Sequence, residues 1–67
     1  MQIQLTNQKY YDVVRFLEER SCNTEREDNY VIYELNTGGR VKLNTEKELV
    51  LKDLNDQTKR DLLSILN

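Results

Sequence analysis

The stretch YVIYELNTGGRVKLN, residues 30–44, decides the fold. Tyr30 to Leu35 is rich in β-branched and aromatic side chains, which suit a pleated, half-buried surface. Asn36-Thr37-Gly38-Gly39 follows, and its glycines can take the positive φ that a tight hairpin needs. Arg40 to Asn44 then returns with apolar residues only at Val41 and Leu43, the period of a strand with one buried face. A β-hairpin is expected, so its neighbours must either extend it or cover it.

Downstream, Thr45-Glu46-Lys47 is a short connection, and Glu48 to Lys52 alternates polar and apolar residues as a third meander strand would; ELVLKDL also resembles the start of a helix. Asn55 is a good N-cap for a last helix, with Asp56 in its positive first turn and Leu62, Leu63, Ile65 and Leu66 on its apolar side. Upstream, SCNTEREDN, from Ser21 to Asn29, is polar and without apolar period, which reads as a solvated loop. Before it, Tyr10, Val13, Val14 and Leu17 mark the core stripe of a helix from Asn7 to Arg20, with Tyr11 and Phe16 widening its apolar surface. Thr6 offers the capping hydroxyl, and Leu5 with Tyr10 matches the hydrophobic-staple spacing. Met1, Ile3 and Leu5 alternate with Gln2 and Gln4 as a short first strand.

The expected class is α+β in one domain, residues 1–67: a small antiparallel sheet of three to four strands, both helices on one face, in the order β-α-β-β-β-α. Sixty-seven residues leave little core to spare, since domains of this size bury only about 60 % of their unfolded surface. Cys22 is the only cysteine and there is no histidine, so neither an internal disulfide nor a tetrahedral zinc set can staple the fold. No segment approaches the ~20 apolar residues that span a bilayer, and the N-terminal MQIQLTNQKYY lacks the pattern of a secretory leader, so no membrane is expected; with one cysteine, a reducing cytoplasm is the natural reading.

The formal charge of -2 argues against a generic polyanion binder. Enzymatic function finds no support either. The usual general base is missing, nothing beside Cys22 marks an activating partner, and the carboxylate pairs read as solvated charge. Asn23, Glu25, Glu27 and Glu34 match four positions of a calcium-binding EF-hand loop, but Asp28 stands where its glycine is needed and a strand follows where the motif wants a helix. No phosphate-cradling glycine motif is present, and no cofactor or metal is expected.

What remains is surface. Strand parity assigns Val31, Tyr33, Leu35, Val41, Leu43, Leu49 and Leu51 to the core face, and Tyr30, Ile32, Glu34, Arg40, Lys42, Asn44, Glu48, Val50 and Lys52 to the other. On that second face Tyr30, Ile32, Arg40, Lys42, Val50 and Lys52 combine apolar groups with a charged rim, as protein interfaces do. They are the candidate partner-binding residues of a protein-binding module, whose partner is a host protein or a second copy of itself. The alternatives are an ordinary solvated sheet, and a small nucleic-acid-binding regulator that stacks bases on Tyr30 among the cations. The acidic segment Glu25, Glu27 and Asp28 offers a third surface that would dock on a basic groove, but with Arg26 in its middle it reads first as a charged, mobile loop.

The chain has seven asparagines and no alanine, proline, histidine or tryptophan, a composition that suggests an AT-rich bacterial or phage genome. In size, element order and composition it is similar to the short accessory proteins encoded by phages of low-GC Gram-positive bacteria. Some of these bind and inhibit a host protein, and the resemblance implies that kind of role without pointing to particular residues.

Overall fold

The structure, a computed structural model, describes residues 2–66; Met1, which the sequence pattern put in the first strand, lies outside them. The elements are β1 (Gln2–Gln4), α1 (Asn7–Arg20), β2 (Ser21–Arg26), β3 (Tyr30–Leu35), β4 (Arg40–Asn44), β5 (Glu48–Lys52) and α2 (Asp56–Leu66). The class is α+β as expected, but the sheet has five strands and the order is β-α-β-β-β-β-α.

The extra strand is β2, where the sequence suggested a solvated loop. Its residues from Cys22 to Arg26 are exposed on both faces, so they carry no apolar alternation. Backbone pairing with β3 makes it a strand, in an antiparallel register from Arg26 opposite Val31 to Asn23 opposite Glu34, with a bulge between Ser21 and Asn23. No connection separates it from α1. Ser21 is already extended while its N–H still donates to the Leu17 carbonyl, and the Asn36 N–H donates to the Arg20 carbonyl at 2.9 Å.

All pairings are antiparallel, in the order β1-β5-β4-β3-β2. The β3–β4 turn uses both glycines at positive φ, +99° at Gly38 and +87° at Gly39. In the β4–β5 turn Asn44 Oδ1 accepts from the N–H groups of Glu46 and Glu48, each at 2.9 Å. The same turn holds β1 in place. Leu5 N–H donates to the Lys47 carbonyl at 2.8 Å, and Gln4 Nε2 to the Glu46 carbonyl at 2.8 Å.

Both helices are capped where the sequence places their caps. Thr6 Oγ1 accepts from Lys9 N–H at 3.2 Å, and Asn55 Oδ1 from Thr58 N–H at 2.7 Å. Lys9 Nζ donates to the Ile65 carbonyl at 2.9 Å, which sets the first turn of α1 beside the last turn of α2 and supplies positive charge where a helix end is negative. The start of α2 is fixed on the β3–β4 turn by the Thr58 and Thr37 hydroxyls, 2.9 Å apart.

The core lies between the helices and one sheet face. Val13, Phe16 and Leu17 of α1 and Leu62 of α2 meet Tyr33, Leu35, Val41, Leu43, Leu49 and Leu51, with Leu5 closing one end. The predicted core parity therefore holds, Val31 being only half-buried at its margin. Tyr11 departs from the expected apolar surface: it is 70 % exposed and touches the edge of Tyr10, ring centroids 5.6 Å apart.

Burial, followed by the nearby Glu18 and Tyr10, raises the Tyr33 hydroxyl above its ordinary 10.0, against a weaker opposing pull from Arg26. A tyrosine raised in the fold keeps its proton more firmly there than in the unfolded chain. Its contribution is thus intact below about pH 10 and is lost as pH climbs through the raised value. Tyr33→Phe should flatten the fall in melting temperature as pH rises above about 10; an unchanged alkaline slope would assign that loss to other groups.

Candidate functional site

The face of the sheet opposite the helices is open, and register defines its rows. Glu25, Ile32, Lys42, Val50 and Gln2 run across all five strands, each opposite the next. Beside this row lie Asn23, Glu34, Arg40 and Lys52. On the other side Tyr30 stands opposite Asn44, whose Nδ2 lies 3.4 Å from Glu48 Oε1.

Ile32, Arg40, Lys42, Val50 and Lys52 line one shallow cleft of about 210 Å³. Ile32 and Val50 are half-buried and form its floor, while Arg40, Lys42 and Lys52 are exposed around it. Five of the six residues picked from sequence thus line one cleft. The sixth, Tyr30, supports it from the next row, with Lys42 Nζ 3.9 Å from its ring centroid.

The three cations differ in what holds them. Arg40 Nη2 lies 3.3 Å from Glu34 Oε1, an exposed pair worth little to stability but enough to orient the guanidinium. Lys42 rests on Tyr30. Lys52 has no carboxylate within ion-pair distance among the described residues. The face is also mixed in sign: Glu34 on β3 stands opposite Arg40, Glu25 on β2 stands opposite Ile32, and Glu48 shares β5 with Lys52.

A second concavity of about 410 Å³ adjoins the cleft at the end of the sheet, sharing Arg40 and Lys52 and adding Cys22, Glu34, Leu35, Gly38, Gly39 and Asp53. There the exposed Cys22 thiol donates to the Glu34 carbonyl at 3.4 Å, so it serves the β2 bulge. Charge on this wall is mixed, which gives an anion no consistent field.

Sequence reasoning missed the contribution of β2. Glu25 and Asn23 join the open face beside Ile32 and Glu34, while Glu27 and Asp28 fall in the β2–β3 connection, so the acidic segment is split between two surfaces. The spacing from Asn23 to Glu34 that matched a calcium loop is this β-hairpin. A polar strand exposed on both sides leaves no periodic signal to find. No protein-family model, curated protein or solved structure matches the chain.

Proposed function

We propose that the chain is a non-enzymatic protein-binding module that acts by occupying a partner's surface through the open face of its sheet. One observation carries this reading: the apolar floor of Ile32 and Val50, ringed by Arg40, Lys42 and Lys52 on a face that neither helix covers. An apolar centre with a charged rim is the anatomy of a protein interface. Together with the composition, it favours a cytoplasmic inhibitor or regulator of a host protein, encoded by a phage or mobile element.

Nucleic-acid binding through the same cations is the competing use of this face. It is disfavoured because Tyr30 is the only aromatic residue there, Lys42 covers one side of its ring, and Glu25, Glu34 and Glu48 share the surface.

Immobilised protein should retain one host protein from bacterial lysate after nuclease treatment. Tyr30→Ala with Ile32→Ala should weaken that capture at least about thirtyfold, as loss of a hot spot does. Unfolding should shift by no more than about 1–2 kcal/mol, because both residues are only half-buried. Capture that disappears with nuclease, falls steeply with salt and is abolished by Arg40→Glu with Lys42→Glu would instead establish the nucleic-acid reading.

A further inference from the structure

The second surface that the fold leaves open is an edge. Among the described residues β2 has β3 as its one strand neighbour, and Cys22 to Arg26 are all exposed. Glu27 N–H donates to the Tyr30 carbonyl at 2.8 Å, which fixes the phase of the ladder. Antiparallel alternation then turns the backbone groups of Glu25 and Asn23 toward β3 and those of Thr24 and Arg26 outward. The bulge that would blunt this edge lies between Ser21 and Asn23, leaving Asn23 to Arg26 regular. At the opposite edge β1 has only three residues.

We propose that β2 pairs with β2 of a second copy of this chain, antiparallel about a two-fold axis at Thr24, so that the two sheets become one. Charge selects the register, and at one register it is compatible with a second copy as the occupant. A two-fold antiparallel pair keeps each side chain on its own face, so only residues of like parity can meet. An axis at Glu25 sets that carboxylate against itself, and an axis at Arg26 does the same to its guanidinium. An axis at Asn23 runs half of the pairing into the bulge between Ser21 and Asn23, where the ladder is interrupted. Like charges directly opposed are destabilising. The axis at Thr24 opposes no like charges, placing the Asn23 amide against the Glu25 carboxylate twice and pairing the two Thr24 backbones through their outward groups.

Tyr10, the ring neighbour of Tyr11, lines a concavity at the end of the sheet with Arg26, Asp28 and Tyr30 of the β2–β3 hairpin and with Leu43, Asn44 and Thr45. A two-fold axis normal to the sheet brings the second α1 to the same side. Tyr11 is the one large apolar side chain exposed among the described residues, and it lies on this helix beside Tyr10. The seam is separate from the cleft of Ile32 and Val50, so neither reading depends on the other.

Sedimentation equilibrium of the full chain over about 1 µM to 1 mM, the range in which small interfaces associate, should show the mass rising from 8.0 kDa toward twice that value. Asn23→Glu, which opposes two carboxylates twice, should weaken association about tenfold, and Asn23→Lys should strengthen it. Tyr30→Ala with Ile32→Ala should leave it unchanged. In a Cys22→Ser background Thr24→Cys should cross-link readily on oxidation, since paired Cα atoms about 5.5 Å apart lie within disulfide reach. A mass that stays at 8.0 kDa throughout the range would overturn the proposal. Faster cross-linking by Asn23→Cys or Glu25→Cys would overturn the register.

Discussion

Leu49→Ala is expected to leave the chain largely unfolded at 37 °C. Leu49 is fully buried, stands opposite Ile3 on one side and Leu43 on the other, and so ties the short strand β1 to the meander beneath the helices. Removing three carbons there forfeits their transfer energy and leaves a cavity, together costing about 2–5 kcal/mol. A domain of this size seldom has more than about 3–5 kcal/mol in reserve, and no disulfide is available to supplement it. Urea titration of the two proteins at 10 °C and 37 °C measures the difference. A variant that still unfolds cooperatively with a loss under about 1 kcal/mol would show that the core closes around the gap.

Gly39→Ala is expected to be nearly as damaging, while Gly38→Ala one residue earlier is tolerated far better. Both glycines have positive φ, so either alanine carries backbone strain of about 1–3 kcal/mol. Their surroundings separate them. A Cβ on Gly38 meets nothing within 4 Å, whereas one on Gly39 falls 2.6 Å from the Asp53 carbonyl oxygen and 2.9 Å from Leu54 Cα. These are backbone atoms of the link between β5 and α2, and they cannot turn aside as a flexible side chain would. Opening that approach would also disturb the Thr37–Thr58 contact at the start of α2. The Gly39 variant should therefore lose about 1–3 kcal/mol more than its neighbour. Equal losses in chemical unfolding would show that conformation alone sets the cost and that the link yields easily.

Much of this architecture was legible in the sequence because burial imposes a period. α1 was predictable from Tyr10, Val13, Val14 and Leu17 with Thr6 as cap, and it spans the expected residues. Strands β3, β4 and β5 each alternate across a sheet with one covered face, so both core and open-face residues followed from parity. That parity also gathered the candidate site, because residues of one face on adjacent strands must become neighbours. β2 escaped for the opposite reason: no side chain of it from Cys22 to Arg26 is buried, and what makes it a strand is backbone pairing that any residue can supply. The Lys42–Tyr30 contact escaped as well, since it joins residues diagonal in a register that sequence alone does not fix.

The strand order has a consequence for how the chain reaches this state. β2 through β5 pair consecutively, each with the next across a short connection, so that part of the sheet can zip up from local turns. β1 instead joins β5, with Gln4 opposite Glu48, and can dock only after the ends of a long intervening loop have come together. Nonlocal closure of this kind is slow relative to hairpin formation, which places β1 late in folding. The same strand should be the first to let go. Its short ladder and partial exposure set a low free energy for local opening, so in native-state hydrogen exchange the paired amides of β1 should lose protection well before those of Val41 and Leu43 at the centre of the sheet.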